Sequence, residues 1–283
     1  MIVATALANA TKRLSRSTDT PRLDAELLMA HALGVSRSDM LIHHMREPTP
    51  EIFERYVYSR AIAQPVAQII GQQEFFGITL AVTRDVLVPR SDSECVVEAA
   101  LAAKPDARRV LDCGLGSGAL LLALLANLPH AEGYGIERSP AALSVARKNA
   151  KAMGLQDRAR MVEADWTRLD WNEGVGTFDL VIANPPYVEN AADLSPDVRV
   201  FEPAEALFAG PDGLDDYRVL VPQLPPLLTK DGLAVLEIGS TQAEAVTKIA
   251  EEQGFAVEMR RDLGNRPRAL ILRLRLGKGE SSS

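Results

Sequence analysis

Arg109-Val-Leu-Asp-Cys-Gly-Leu-Gly-Ser-Gly118 is the stretch that decides the fold of this chain. Residues 109–112 form a short apolar strand, which runs into three glycines at alternate positions and then into an apolar helix that reaches Leu125. A strand that ends in a glycine turn and opens a helix is typical of α/β domains that bind a ligand at this turn. The segment therefore predicts a parallel sheet with a ligand site at its carboxyl edge.

The alternation of strand and helix continues from this segment to the end of the chain. Further strands are predicted at residues 133–137, 160–162, 178–183, 233–238, 256–259 and 269–274, and helices at residues 139–152, 217–228 and 241–253. The last two strands are joined by residues 262–267, which are too few for a crossover helix, so the final strand must be antiparallel. The fold class is α/β, Rossmann-like, with a mostly parallel sheet and an antiparallel last strand.

A small helical domain is predicted before the sheet, over residues 1–70. Pro21 opens one helix that Gly34 ends, and Pro50 opens another that Pro65 stops. Residues 71–88 are predicted to be a β connector, in which residues 74–83 form two short strands or one strand bent at Gly77. The α/β domain then takes residues 89–276, and residues 277–283 are predicted to be a disordered tail.

Charge and composition exclude several classes of protein. The 283 residues carry a net charge of -7, which argues against a protein that holds nucleic acid mainly by neutralising phosphates. Two cysteines and four histidines show no metal-ligand spacing, so no metal is predicted. No apolar run reaches membrane-spanning length, and the apolar Met1–Ala10 precedes its basic residues, the reverse of a signal peptide. The chain is predicted to be cytoplasmic.

The glycine turn is the first candidate site. Gly114, Gly116 and Gly118 lack Cβ atoms, so S-adenosylmethionine can lie against the turn, with its carboxylate near the helix N-terminus; Leu115 and Ser117 complete the loop. The GxGxG spacing differs from the GxGxxG of NAD-binding proteins. By itself, however, the turn leaves a purely structural role or an NAD site open.

Acidic and aromatic residues follow the next two strands. Glu137 ends the second strand of the α/β domain, where a carboxylate can accept hydrogen bonds from both ribose hydroxyls. Asp165 and Trp166 follow the third strand, where Asp165 can accept from the adenine amino group and Trp166 can pack on the ring. Each could instead have no role in binding: the acidic residues could be solvated carboxylates, and Trp166 could be part of the core. Their shared position at successive strand ends favours a cofactor site.

The most informative motif is Asn184-Pro185-Pro186-Tyr187, which directly follows the apolar strand at residues 178–183. The two prolines restrict the backbone, so the Pro185 carbonyl and the Asn184 side-chain oxygen can accept both hydrogens of a planar NH2 group. Such a pair orients the nitrogen lone pair at a sulfonium methyl group and stabilises the charge that grows on nitrogen. Tyr187 can contact the planar group. The motif predicts amide or amine methylation without a general base.

With these motifs, the chain resembles the protein-(glutamine-N5) methyltransferases, in particular the members that act on release factors. The resemblance spans nearly the whole chain and also includes Asp24-Ala-Glu-Leu-Leu28, Val86-Leu-Val-Pro-Arg-Ser-Asp-Ser-Glu94, Glu202-Pro-Ala-Glu-Ala-Leu207, Gly213-Leu-Asp-Asp-Tyr-Arg218 and Glu237-Ile-Gly239. It implies methylation of the glutamine in the Gly-Gly-Gln motif of peptide chain release factors, which modulates translation termination. It also implies cofactor contacts from Gly114 to Gly118, Glu137, Trp166 and Asn184, and a glutamine site over Asn184 to Tyr187.

This sequence departs from the family pattern at a few places. Cys113 and Leu115 stand where Leu and Thr are common, Glu137 where Asp is frequent, and Ser91-Asp-Ser-Glu94 replaces a variant that contains proline. The glycines and the ribose acceptor are kept. Two other substrates stay open, the amino group of adenine or guanine and a glutamine of a ribosomal protein; a non-catalytic cofactor-binding protein is a third alternative. Acidic charge counts against the first.

Overall fold

A computed structural model describes residues 1–168 and 170–275 of the chain. These residues form two compact units. The first unit contains residues 1–72, 82–84 and 194–202, and the second contains residues 73–81, 85–193 and everything described from residue 203 onward. The disordered tail predicted for residues 277–283 lies outside the described residues.

Helices and strands alternate along most of the second unit, whereas the first unit is mainly helical. The helices are α1 (Val3–Leu14), α2 (Pro21–Leu33), α3 (Arg37–Asp39), α4 (Ile52–Ala61), α5 (Val66–Ile70), α6 (Glu94–Ala103), α7 (Ala119–Asn127), α8 (Pro140–Ala152), α9 (Pro196–Phe201), α10 (Asp215–Leu220) and α11 (Ala243–Glu252). The strands are β1 (Gln72–Phe75), β2 (Ile78–Ala81), β3 (Arg109–Cys113), β4 (Glu132–Glu137), β5 (Ala159–Glu163), β6 (Phe178–Ala183), β7 (Leu228–Glu237), β8 (Phe255–Arg261) and β9 (Pro267–Leu274).

The first unit is a packed group of helices. As the sequence predicts, Pro21 stands at the first position of α2 and Gly34 ends it in the left-handed conformation, with φ +71°. Its core is made of aliphatic and aromatic side chains from α1, α2 and α4. Within this core Arg60 donates a hydrogen bond from Nε to Asp24 Oδ2 at 2.6 Å, so the two buried charges neutralise each other.

The second unit is built on a seven-stranded sheet with the order β5-β4-β3-β6-β7-β9-β8. Strands β3 to β7 pair in parallel, and β9 pairs antiparallel with both β7 and β8. The predicted fold class and antiparallel last strand are confirmed, because the short link between β8 and β9 leaves no room for a crossover. Helices α6, α7 and α8 cover one face, and α10 and α11 cover the other.

The structure decides between the two alternatives predicted for residues 74–83 and corrects the helix predicted over residues 217–228. The segment around Gly77 forms two strands, β1 and β2, joined by a turn in which Phe76 and Gly77 have φ of +47° and +74°. The helix predicted over residues 217–228 is wrong in its second half, where two 3-10 turns follow α10 and β7 begins at Leu228. Pro222, Pro225 and Pro226 explain the difference, since proline has no N–H group to continue a helix. Within the described residues, no helix is both long and apolar enough to cross a membrane.

Candidate active site

A cavity opens at the carboxyl ends of β3, β4 and β6, within the second unit. It encloses about 970 Å³ including its open mouth. Nine of the twelve site residues predicted from the sequence line it: Gly114, Leu115, Gly116, Ser117, Glu137, Asp165, Trp166, Asn184 and Pro186. Gly118, Pro185 and Tyr187 do not line it.

The glycine loop forms part of the lining of the cavity. All three glycines have positive φ, and a Cβ atom on Gly114 would lie 3.1 Å from the ring of Trp166. The Leu115 side chain turns away from the cavity into the core, where it fills the space above Gly135. Leu115 can therefore contact a ligand only through its backbone, and the loop offers a smooth surface of main-chain atoms.

Glu137 ties the loop to the end of β4. Its Oε2 accepts a hydrogen bond from the Gly116 N–H at 2.9 Å, and its Oε1 accepts one from the Ser139 N–H at 2.9 Å. A carboxylate has about four lone-pair sites, so each oxygen can accept one more hydrogen bond. Glu137 lines the cavity. It can thus receive two hydroxyls of a bound ribose while it keeps the loop in place.

Asp165 and Trp166, which follow β5, also line the cavity. Asp165 Oδ1 accepts from the Thr167 N–H at 2.9 Å and from the Thr167 hydroxyl at 2.7 Å. Partial burial acts to raise the pKa of Asp165, but the Thr167 hydrogen bonds outweigh it, so the pKa is lowered. The Trp166 Nε1–H donates to Asp216 Oδ1 at 3.1 Å, which fixes the plane of the indole beside Gly114.

The Asn184-Pro185-Pro186-Tyr187 turn leaves the sheet at the end of β6. Asn184 is half-buried and both prolines are buried; Asn184 and Pro186 line the cavity, whereas Pro185 does not. The Tyr187 hydroxyl points to Glu237 Oε1, at 3.2 Å. The structure therefore places Asn184 in the lining of the cavity. The Tyr187 side chain lies outside the cavity and contacts Glu237.

Sequence reasoning missed several residues that hold this site together. Asn149 of α8 is buried, and its amide donates to the carbonyls of Ser117 and Ala81 at 2.8 and 3.1 Å. Gln242 donates to the Tyr187 carbonyl at 3.0 Å. Nothing in the local sequence marks either residue, since each acts on a segment at least 30 positions away.

The cavity fits S-adenosylmethionine on the observations above. Its floor has no Cβ atoms at Gly114 and Gly116, it carries an acidic acceptor at the end of β4, and the half-buried ring of Trp166 forms one side. No group of three metal-ligating side chains occurs among residues 1–168 and 170–275. A neutral planar cofactor ring and a ribose both find matching surfaces here.

Comparison with known proteins identifies the family. The pattern of the PrmC N-terminal domain matches residues 5–71, and that of a methyltransferase domain matches residues 104–208. A release factor glutamine methyltransferase of Rhodospirillum rubrum is 42% identical over 264 residues, which cover 91% of this chain and 80% of that protein. One of Cereibacter sphaeroides is 40% identical over 281 residues, which cover 97% and 99%. This chain belongs to the release factor glutamine methyltransferase family. It is an S-adenosylmethionine-dependent methyltransferase.

The fold of this methyltransferase is also found in distant proteins. The catalytic domain of hMettl16 superposes with a TM-score of 0.56 at 15% identity, covering 72% of this chain and 79% of that one. At this identity the likeness shows the fold alone.

Replacing Glu137 by alanine should weaken cofactor binding about 10- to 100-fold, the scale of one or two charge-assisted hydrogen bonds. The reason is that the carboxylate both accepts from the ligand and holds Gly116. Titration calorimetry with S-adenosylmethionine measures the effect. Glu163→Ala is the matched control, because Glu163 pairs with Glu137 in the sheet but is exposed and outside the cavity. Equal affinity in the two variants would move the ribose contact elsewhere.

Proposed function

We propose that this methyltransferase transfers the methyl group of S-adenosylmethionine to the side-chain amide nitrogen, N5, of the glutamine in the Gly-Gly-Gln motif of peptide chain release factors, and so modulates translation termination. The observation that carries the proposal is the position of Asn184, at the end of β6 and on the wall of the cofactor cavity. The family supports it, since relatives that span nearly the whole chain bear the name release factor glutamine methyltransferase.

In the proposed reaction, the chain binds and orients the amide. The Asn184 side-chain oxygen and the Pro185 carbonyl accept the two hydrogens of the NH2 group, which points the nitrogen lone pair into the cofactor cavity. Bound S-adenosylmethionine supplies an electrophilic methyl group. In this arrangement both acceptors stay bonded to the NH2 group during transfer, so they stabilise the positive charge that grows on nitrogen. The nitrogen attacks while neutral and releases its proton to water afterwards, so no general base is required.

The remaining cavity residues are assigned to the cofactor. We assign the ribose to Glu137, the adenine to Asp165 and Trp166, and the methionine end to the loop Gly114, Leu115, Gly116, Ser117 and Gly118, with Asn184 shared between cofactor and substrate. Gly118 contributes as the residue before α7, whose first N–H groups favour a carboxylate. Pro185, Pro186 and Tyr187 shape the amide site.

Residues 1–70 are proposed as the docking domain for the protein substrate, residues 71–88 as the connector and residues 89–276 as the methyltransferase domain. The first unit exposes large apolar side chains, among them Ile42, Tyr58 and Ile62, which are 71%, 58% and 53% exposed. Exposed apolar groups of this size are suited to contact another protein. We propose a cytoplasmic enzyme without membrane attachment and without stable nucleic-acid binding.

The double substitution Tyr58→Ala and Ile62→Ser should lower kcat/KM about 10-fold on a whole release factor and leave it unchanged on a short Gly-Gly-Gln peptide, because only the whole protein reaches the docking surface. Steady-state rates with both substrates measure this. Leu263→Ser is the control, since Leu263 is fully exposed on the second unit. Equal losses on peptide and protein would refute docking by the first unit.

The proposed function is tested with purified protein and labelled S-adenosylmethionine. The substrates are an unmodified release factor, the same factor with its Gly-Gly-Gln glutamine replaced, ribosomal RNA and ribosomal proteins. Mass spectrometry then locates the methyl group. We expect label on the intact release-factor glutamine alone. Label on RNA or on a ribosomal protein instead would overturn the substrate assignment and leave the fold and cofactor intact.

A further inference from the structure

The proposed reaction leaves one buried acid without a role. This acid lies next to the turn from Asn184 to Tyr187, which is called the catalytic turn below. Glu237 is the last residue of β7 and is 1% exposed. In the parallel pairing of β6 with β7, Ala183 lies opposite Leu236. Asn184 and Glu237 therefore leave the sheet side by side, and a carboxyl group stands directly behind the turn that binds the amide.

Glu237 and Arg268 both contact the hydroxyl of Tyr187. The hydroxyl donates to Glu237 Oε1 at 3.2 Å, and Arg268 Nη1 donates to the hydroxyl oxygen at 3.5 Å. Arg268 Nη2 donates to Asp92 Oδ2 at 3.1 Å, which holds the guanidinium in place. A phenol can donate one hydrogen bond and accept others, so these two contacts together fix the hydroxyl.

The rest of Tyr187 is held as well. A Cβ atom on Gly239 would lie 3.4 Å from Tyr187 Cδ2, so the ring packs against backbone there. Gln242 Nε2 donates to the Tyr187 carbonyl at 3.0 Å, and the buried Tyr217 hydroxyl donates to the Glu237 carbonyl at 2.7 Å. Tyr187 is therefore anchored at its hydroxyl, its ring and its main chain by residues 237–242, and at its hydroxyl also by Arg268 of β9.

A carboxyl group at this depth is costly to the fold. An ionised acid loses its hydration on burial, and an apolar side chain would fill the same space without that loss. Glu237 is linked through one hydrogen bond to the tyrosine that ends the catalytic turn. Buried polar groups beside a reactive site are more often kept for their effect on that site than for stability.

We propose that Glu237 and Arg268 are positioning residues for methyl transfer: by accepting from and donating to the Tyr187 hydroxyl, they hold the turn from Asn184 to Tyr187 where its oxygens can accept the substrate amide. This inference rests on the proposed function and extends it to the support of the amide site. Neither residue lines the cavity, so each acts on the substrate through a neighbour, and Tyr187 is the neighbour that both residues contact.

The hydrogen bond between Tyr187 and Glu237 is expected to depend on pH. Burial raises the pKa of Glu237 to about 7, while the Ser93 hydroxyl, the Arg268 charge and the Tyr187 hydrogen bond act in the opposite direction. Below this pH Glu237 is neutral, and its hydrogen bond from Tyr187 is weaker because it is no longer charge-assisted. The turn is then held less firmly. We expect kcat to fall as the pH drops through about 7.

Four titratable groups near Glu237, those of Cys95, Tyr187, Tyr217 and Asp262, have pKa values shifted further from neutrality. The charged and ionisable side chains around it, taken from all the elements packed there, are Asp92, Cys95, Tyr187, Tyr217, Asp262 and Arg268. Burial raises the pKa of Tyr187 and of Tyr217 from an already high value, and burial also raises the pKa of Cys95. Hydrogen bonds from Arg266 lower the pKa of Asp262.

The test uses the full-length enzyme with Glu237→Gln, Tyr187→Phe and the double variant. Glutamine imitates the neutral acid, so Glu237→Gln should lower kcat on release factor about 3- to 10-fold at high pH and remove the decline below about 7. Tyr187→Phe lacks the same hydrogen bond and should also lose this decline. The double variant should be no slower than Tyr187→Phe, since both changes break one link. Glu132→Gln, at the exposed opposite end of the sheet, is the control.

Two further measurements separate positioning from a general structural defect. The affinity for S-adenosylmethionine should fall much less than kcat in every variant, because Glu237 and Tyr187 lie outside the cavity and most of the residues assigned to the cofactor are not on the turn. Thermal unfolding without substrate reports the proton directly. Between pH 4.5 and about 7, Glu237 holds its proton in the folded protein and loses it on unfolding. Folding is therefore favoured less as the pH rises through this range, and the Tm of wild type relative to Glu237→Gln should fall.

Each outcome decides the inference. A pH decline that persists in Glu237→Gln, losses that add in the double variant, or a relative Tm that does not change with pH would overturn it. Wild type that labels no release factor at any pH would instead contradict the proposed function. In that case the relative Tm, compared also in the Tyr187→Phe background, still shows whether Glu237 exchanges its proton in contact with Tyr187.

Discussion

Asn184→Ala should lower turnover on release factor on the order of 10²–10³-fold, the scale for loss of one preorganised polar group in an active site. The alanine removes one of the two acceptors proposed for the amide hydrogens, so the nitrogen is neither oriented nor stabilised as it gains charge. Asn184 is half-buried and at the end of a strand, so the free energy of unfolding should change little. Single-turnover rates at saturating S-adenosylmethionine measure the chemical step directly.

The matched control is Asn190→Ala, in the loop that follows. Asn190 is exposed and its backbone N–H, not its side chain, bonds to the Gly210 carbonyl at 2.9 Å. This variant should keep full turnover. If Asn184→Ala turned over release factor at the wild-type rate while folding normally, the role assigned to Asn184 would be refuted.

Gly213→Ala should cost on the order of 10²-fold in turnover, the loss expected when catalytic groups are displaced by about 1 Å. A Cβ atom at this position would lie 2.3 Å from the Tyr187 carbonyl oxygen and 2.7 Å from Gln242 Nε2. Both contacts are too short to persist, and the first is to backbone, which cannot rotate away. The catalytic turn must therefore shift, and the Gln242 hydrogen bond to Tyr187 is disturbed with it.

Gly254→Ala isolates the effect of backbone strain. Gly254 also has a positive φ, +84°, but a Cβ atom there would meet nothing within 4 Å. Both alanines should lower the free energy of unfolding by about 1–2 kcal/mol, because a left-handed conformation is unfavourable for any residue with a Cβ atom. Only Gly213→Ala should also lose turnover. Comparable activity in the two variants would show that the turn tolerates the displacement.

The architecture of the second unit could be predicted from local patterns. Strand and helix periodicity located each strand of the parallel sheet, and the short link after β8 required β9 to be antiparallel. Parallel strands end at one edge of a sheet, so the sequence alone requires the glycine loop, Glu137 and Asn184 to be neighbours. The failure at α10 was also local, because three prolines outweighed an apolar helical pattern.

The division of the chain into units was harder to predict from the sequence. Residues 82–84 and 194–202 belong to the helical unit although they lie among strands and loops of the other. Gln68 of α5 donates to the Phe201 carbonyl at 2.8 Å, and Arg84 lies over the Phe201 ring, 5.7 Å from its centroid. Contacts between residues 133 and 117 positions apart have no local signature, so no pattern of propensity predicts them.

The sequence by itself therefore determined the α/β fold, the edge of the sheet that carries the site, and nine of the residues that line the cofactor cavity, because these follow from periodicity and from the polarity of parallel strands. Only the tertiary structure decided what supports the catalytic turn. Tyr187 faces Glu237 and Arg268, which come from β7 and β9. This arrangement depends on strand order and register, and a buried acid such as Glu237 reads in the sequence like any polar strand end. Its altered pKa exists only because folding removes water from it.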